Sequence, residues 1–174
     1  RIGLGFQNYN EASPAAVSVN RFLVESRPVE LEKIYDSSRN QLQKRHDQHL
    51  LLGRSLFDQG MYSLAAVQLK QAIREADSST DTRFLLSSCY INLGLYDLAE
   101  EQIKACIELD KENPVIKREF ANLLYLQGRY SQLKEYIENT LPLDDGLTCN
   151  IAGNTYYALG SWEKAVELYK KAAA

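Results

Sequence analysis

A short motif recurs four times in this chain at nearly constant spacing. Each copy begins with a glycine, which is followed two residues later by an aromatic residue and five residues later by alanine or leucine. The spacings between successive glycines are 34, 34 and 32 residues, for Gly60, Gly94, Gly128 and Gly160. A fixed period of this length is typical of repeat proteins, in which each unit packs on its neighbours and no single central core exists.

Apolar residues on either side of each glycine recur at the i, i+3, i+4 and i+7 spacing of a helix with one buried face. Leu52 and Leu56 mark a helix that ends at Gly60, and Ala65 and Leu69 mark its partner. Glycine is suited to a helix end because it adopts the left-handed conformation without strain. The period therefore predicts four helix pairs, at residues 46–79, 80–113, 114–145 and 146–174.

Proline residues indicate where some helices begin. Asn113-Pro114 predicts the start of the third unit, with proline in the first turn, and Ser13-Pro14 predicts a helix over 14–25. A second helix is expected at about 28–38, after the break at Ser26–Pro28. These two helices would form a degenerate pair within residues 1–45, after an irregular stretch over 1–13. Residues 37–47 are polar and could be a linker or a helix extension.

The motif resembles that of the tetratricopeptide repeat family, well over residues 46–174 and weakly over 12–45. The fourth unit fits best, with Gly153, Tyr156, Gly160, Trp162, Ala165, Tyr169 and Ala172. The third departs most, because Ala121, Leu133 and Thr140 replace the family's Gly, Ala and Ala. The resemblance implies an all-α fold, a right-handed α-solenoid of stacked antiparallel helix pairs. Its first helices would line a concave face.

Composition limits the ligands that this chain is expected to bind. The formal net charge is −3, whereas a nucleic-acid-binding protein would carry a basic patch. No apolar run approaches the roughly 18 residues that span a bilayer, so direct membrane insertion is not expected. Three widely spaced cysteines are expected to be small buried residues, and unpaired thiols favour a reducing compartment such as the cytoplasm. The chain begins at Arg1, which suggests a piece of a longer protein.

No constellation of catalytic residues emerges from the sequence, so we expect neither an enzyme nor a bound cofactor or metal. His46 and His49 could share a helix face, but zinc requires three or four ligands, and we expect both in a solvated first turn. The four motif glycines end helices, whereas a phosphate-binding loop opens one. The carboxylate pairs Glu30/Glu32 and Glu100/Glu101 are interpreted as solvated helix faces.

The family's geometry implies a partner-binding groove on the outward side of the first helices. The residues that it places there mix aromatic and aliphatic side chains with Asn and Arg: Leu50, Arg54, Phe57, Phe84, Ser88, Ile91, Arg118, Asn122, Tyr125, Asn150, Asn154 and Tyr157. Arg118, Asn122 and Asn154 could hold a carboxylate or an extended peptide. Some family members bind chaperone tails with a clamp of Lys and Asn residues. Here Leu50 and Arg54 stand where that clamp has Lys and Asn, Leu85 stands where it has Asn, and Ile151 departs from it as well, so the clamp is not expected.

Two functions are therefore compatible with the sequence. The first is a non-catalytic scaffold that binds a protein or peptide partner in the groove. The alternative is a structural spacer or self-assembly segment of a larger protein. Ala172–Ala174 provides no polar closing helix, and Trp162 and Tyr169 would leave apolar surface at the open C-terminal end. That end is accordingly a candidate for self-association or for a covering partner.

Overall fold

The computed structural model describes residues 27–76 and 79–173. These residues form eight α-helices and no strand: α1 (Arg27–Asp58), α2 (Tyr62–Glu75), α3 (Thr80–Asn92), α4 (Tyr96–Leu109), α5 (Pro114–Leu126), α6 (Tyr130–Asn139), α7 (Gly146–Ala158) and α8 (Trp162–Ala172). Each helix packs on its neighbour in sequence from α2 onward, and α5 also contacts α7. The predicted all-α fold of stacked helix pairs is confirmed.

The four motif glycines form the turns between the helices of a pair. Their φ angles lie between 70° and 75°, in the left-handed region, and an added Cβ would meet nothing within 4 Å. After Gly60, the Met61 N–H donates to the carbonyl of Leu56 at 2.9 Å, and the same bond closes the other three turns. The requirement for glycine here is therefore conformational and not steric.

Side-chain caps begin the first helix of three pairs. Ser79, Asn113 and Asp145 each accept a hydrogen bond from a backbone N–H in the first turn of the helix that follows. Pro114 occupies that turn of α5, as the sequence predicts. Such caps satisfy N–H groups that have no partner within the helix. The second helices begin without one, because the glycine turn already fixes their start.

The core is a continuous row of buried residues along the array. The residue five positions after each motif glycine is at most 1% exposed: Ala65, Ala99, Leu133 and Ala165. The helices of a pair approach each other closely at Gly53 and Gly153, where an added Cβ would lie 2.8 Å from Leu69 and 2.6 Å from Tyr169. Cys89, Cys106 and Cys149 are buried and unpaired, which confirms their interpretation as core residues.

The N-terminal helix differs from the prediction. A separate helix at about 28–38 was expected, but α1 runs without interruption from Arg27 to Asp58, so residues 37–47 extend a helix and form no linker. Ile34 and Tyr35 are exposed on it. The helix expected over 14–25 and the irregular stretch 1–13 lie outside the described residues, and the degenerate pair within 1–45 stays a prediction. Residues Lys44–Ala174 form one packed unit.

The prediction of a solvated His46 is wrong. This side chain is 4% exposed, and its Nδ1–H donates to the carbonyl of Ala72 at 2.9 Å, which ties α1 to the end of α2. His49 is half-buried, and its Nδ1 lies 2.8 Å from Oε1 of Gln68. Both histidines therefore bind the partner helix. None of the described helices is long and apolar enough to cross a bilayer.

Candidate functional site

The twelve candidate groove residues all lie on the first helices of the pairs, α1, α3, α5 and α7. Five of them pack in part against the core: Leu50, Phe57, Phe84, Ile91 and Tyr125. Arg54, Asn150 and Tyr157 are exposed, and Asn122 and Asn154 are half-buried. Ser88 uses its hydroxyl to donate to the carbonyl of Phe84 at 3.1 Å. The apolar candidates thus also stabilise the units that carry them.

Arg118 is paired with Asp145, the residue that caps α7. Its Nη1 lies 3.2 Å from Oδ2 of Asp145, and both side chains are partly exposed. Asp145 also accepts a hydrogen bond from the Thr148 N–H, and this bond lowers the pKa of the Asp145 carboxyl. Partial burial opposes this decrease, and the charge of Arg118 adds to it. Next to Arg118, burial raises the pKa of Glu119, although the guanidinium opposes this rise. The positive charge of Arg118 is therefore largely balanced by carboxylates of this chain.

Four side chains lie near one another toward the C-terminal end of the array, and we name them the tyrosine cluster: Tyr125, Asn154, Tyr157 and Tyr169. The Tyr169 hydroxyl donates to Oδ1 of Asn154 at 2.7 Å. Burial raises the pKa of Tyr169, and the nearby phenols of Tyr125 and Tyr157 raise it further. Gly153 makes this arrangement possible, because any side chain there would meet the Tyr169 ring.

Further aromatic rings extend the tyrosine cluster on both sides. The Tyr157 ring meets Trp162 edge-on, with the ring centroids 4.9 Å apart. Tyr125 packs against Tyr130 at 5.5 Å. Such contacts hold the rings in place, so that little conformational entropy is lost when a ligand covers them. The cluster is therefore a preorganised aromatic surface.

The hydrogen bond from Tyr169 fixes which end of the Asn154 amide faces a ligand. Because Oδ1 accepts from the phenol, Nδ2–H₂ is the end left to donate. The site can thus offer N–H and O–H donors to a carbonyl or carboxylate without carrying a charge of its own. Sequence reasoning missed Tyr169, which lies on α8 and not on a first helix. The signal was available, since glycine at 153 leaves room for a ring from the partner helix.

The described residues contain no cluster of three or more His, Cys, Asp or Glu side chains that could hold a metal ion. Burial raises the pKa of the Cys89 and Cys106 thiols to about 11, so neither is a thiolate at neutral pH. These thiols are thus unsuited to act as nucleophiles. The chemistry that the candidate groove offers is hydrogen bonding and aromatic contact.

Comparisons with known proteins agree with this architecture. Residues 56–105 match the family model of the tetratricopeptide repeat, which confirms the resemblance drawn from the sequence. A crystal structure of MamA is 17% identical, with 94% of each chain covered and a TM-score of 0.65. MamA from Desulfovibrio magneticus RS-1 is 18% identical, with 74% of this chain and 73% of that chain covered and a TM-score of 0.66.

A third similar structure is Pseudomonas aeruginosa pilF, at 20% identity, with 76% of this chain and 61% of that chain covered and a TM-score of 0.63. Identities this low establish similarity of fold and nothing further. Among curated proteins, none matches this chain significantly.

Proposed function

We propose, from the tetratricopeptide repeats that this chain carries, that it is a non-catalytic scaffold which binds a partner peptide or segment along its first helices. The observation that carries the proposal is the tyrosine cluster, where the Tyr169 phenol fixes the orientation of the Asn154 amide and lies near the phenols of Tyr125 and Tyr157. Aromatic residues supply much of the binding energy in protein interfaces, and buried polar donors fix the register of the bound chain.

The partner segment should be largely uncharged where it covers the cluster. Its backbone carbonyls would accept from Asn154 and from the phenols, while its apolar side chains would cover Tyr125 and Tyr157. Since Arg118 is already paired with Asp145, an acidic group on the partner would gain little there. We expect an affinity of about micromolar, or roughly −8 kcal/mol, that changes only slightly with added salt.

The test uses the double variant Asn122→Ala/Asn154→Ala and a peptide selected from a random display library against the wild-type chain. Titration calorimetry should show binding weakened by about 2 kcal/mol, or roughly thirtyfold. The Asn122 change should alter stability by no more than about 0.5 kcal/mol, and the Asn154 change by about 1 kcal/mol, because Tyr169 loses its acceptor.

Asn139→Ala is the matched control, because Asn139 lies on α6, a second helix, and its side chain donates to the carbonyl of Glu135 one turn earlier. It should leave the affinity for the selected peptide unchanged. If the folded double variant binds that peptide as tightly as wild type does, the binding surface lies elsewhere and the groove proposal fails.

A second function is favoured by the C-terminal helix. Trp162 and Val166 are apolar residues of α8, yet they are 54% and 51% exposed. Exposed apolar surface of this kind marks interaction sites. On this proposal the chain is a structural spacer or self-assembly segment that associates through its C-terminal end. Light scattering of the wild-type chain that shows only monomer at high concentration would reject it.

A further inference from the structure

One position of the first helices changes its chemistry in the third unit. The residue nine positions before each motif glycine is Leu51, Leu85, Glu119 or Ile151. Leu85 and Ile151 pack in part against the core, and Glu119 is half-buried on α5. Burying a carboxylate costs free energy unless the charge is paired or hydrogen-bonded. A half-buried carboxylate at an otherwise aliphatic position therefore requires a compensating group.

The cations next to Glu119 in the sequence are paired with other carboxylates. Lys117 Nζ lies 2.8 Å from Oε2 of Glu112, and Arg118 Nη1 lies 3.2 Å from Oδ2 of Asp145. In the part of the chain that the structure describes, Glu119 accepts no hydrogen bond and forms no ion pair. Burial raises the pKa of Glu119, and the charge of Arg118 opposes this rise without cancelling it. The described residues thus leave the charge of Glu119 incompletely balanced.

Glu119 lies on the helix that carries two of the candidate groove residues. Asn122 follows three residues later, which places the two side chains on one side of α5. Tyr125 of the tyrosine cluster lies six residues beyond Glu119, or about 9 Å along the helix axis at about 1.5 Å per residue. An extended peptide spans this distance in about three residues. One bound segment can therefore cover Tyr125 and also reach Glu119.

We infer that Glu119 binds a lysine or arginine side chain of the partner segment, about three residues from the part that covers Tyr125. A long basic side chain suits this position because its aliphatic stem lies against apolar surface while its charged end meets the carboxylate. Ile151 offers such surface at the equivalent position of α7, which contacts α5. An acidic side chain would meet a like charge. The inference rests on the groove function proposed above and adds the charge of one partner residue.

Parallel selections from a random peptide display library test this preference. One selection uses wild type, and the other uses Glu119→Leu, which copies the residue of the second unit. Peptides selected by wild type should share a lysine or arginine that peptides selected by Glu119→Leu lack. If the wild-type peptides share no basic residue, the inference fails and groove binding stands. If wild type selects no peptide at all, the groove function fails as well.

A double-mutant cycle on one synthetic peptide from the wild-type selection measures the pairing. Glu119→Gln should weaken binding of this peptide by about tenfold, and replacing the basic residue of the peptide by methionine should weaken its binding to wild type by a similar factor. Glu119→Gln should bind the methionine peptide at least as tightly as wild type does, because the two changes remove the same interaction. Two losses that simply multiply would show that the groups do not meet, and would overturn the inference.

Glu108→Gln is the matched control, because Glu108 is exposed on α4, a second helix. It should leave the affinity for the selected peptide unchanged. Glu119→Gln should keep the urea midpoint of wild type, since no hydrogen bond or ion pair with a described residue is lost. A midpoint that falls in both Glu119→Gln and Glu119→Leu would assign Glu119 to the fold and overturn the inference.

The chain itself is the other source of a cation, because residues 1–26 include Arg1 and Arg21. If either arginine held Glu119, the selected peptide would have to displace it. The variant Arg1→Gln/Arg21→Gln would then bind this peptide more tightly than wild type does, and a gain of about tenfold would overturn the assignment to a partner. Unchanged affinity in this variant supports a basic residue supplied by the partner segment.

Discussion

The third and fourth helix pairs reach the same fold with different residues. The fourth pair places glycine at 153 beneath the ring of Tyr169 and alanine at 165 beside the turn. At the equivalent positions the third pair has Ala121, Ile137 and Leu133, all of which are buried. A larger residue on one helix is thus accompanied by a smaller one on its partner. The spacing between the helices depends on their combined volume, because protein interiors are close-packed.

The same difference decides whether the second helix of a pair contributes a polar group to the site. Tyr169 reaches Asn154 across Gly153, whereas Ile137 has no polar group to extend beyond Ala121. Ile137 in place of a tyrosine therefore preserves the packing of the third pair but removes a hydroxyl group that could bind a partner. Both Gly153 with Tyr169 and Ala121 with Ile137 allow the two helices of a pair to pack. Only the first combination brings a hydroxyl group to the site.

The largest effect is expected at Leu133. This side chain is fully buried, so Leu133→Ala should destabilise the third pair by about 3 kcal/mol through lost apolar contact and the cavity left behind. The urea midpoint followed by circular dichroism measures this loss. Leu126→Ala, at an exposed leucine of the same pair, should cost less than about 1 kcal/mol. An equally small loss at Leu133 would show that the third pair tolerates the motif's alanine without repacking.

An intermediate effect is expected where Gly153 passes Tyr169. Gly153→Ala should cost about 2 kcal/mol, because its Cβ would lie 2.6 Å from the Tyr169 ring. Adding Tyr169→Ile copies the third pair and should remove the clash, with a coupling free energy of about 1–2 kcal/mol in the double-mutant cycle. If the effects of Gly153→Ala and Tyr169→Ile on the free energy of unfolding were additive, a larger residue on one helix would not be compensated by a smaller one on the other.

The smallest effect concerns the polar junction that precedes the third pair. Although burial raises the pKa of Glu100, hydrogen bonds from Lys104, Gln127 and Arg129 outweigh it and lower that pKa below its usual range. Glu100 therefore stabilises the fold above its unfolded pKa near 4.3, and this contribution is lost as the pH falls through the folded pKa.

Glu100→Gln should accordingly cost about 1 kcal/mol at pH 7 and less at pH 3. Urea midpoints of both chains at the two pH values give this comparison. Glu101→Gln, at the exposed neighbour, should be near neutral at both. A constant difference between Glu100→Gln and wild type across pH would indicate a steric effect in place of an electrostatic one.

Much of the fold was predictable because it depends on short-range rules. The left-handed turns require glycine at four fixed positions, and the cap at Asn113-Pro114 follows from local hydrogen bonding. Helical spacing of the apolar residues then indicates which face is buried. These features recur in each unit, so the repeat itself confirms the register. The same rules placed the three cysteines in the core.

The errors come from features that the period does not govern. Residues 37–47 lack apolar periodicity but contain neither glycine nor proline, so nothing ends the helix there, and α1 continues. His46 is buried because it packs against the end of α2, where it donates to the carbonyl of Ala72, 26 residues away. Tyr169 reaches the tyrosine cluster because Gly153 has no side chain to block its ring. Each of these depends on a specific contact between helices that the one-dimensional pattern does not contain.

The buried thiols also bear on how the array opens over time. Cys89 and Cys106 belong to the second pair and Cys149 to the fourth, and a thiol reagent reaches any of them only after its helix has separated from its neighbours. Since each unit is held only by adjacent ones, opening should begin at an end and move inward. Cys149 should therefore react in the earliest kinetic phase, and the delay before Cys89 and Cys106 react would measure how strongly neighbouring units cooperate.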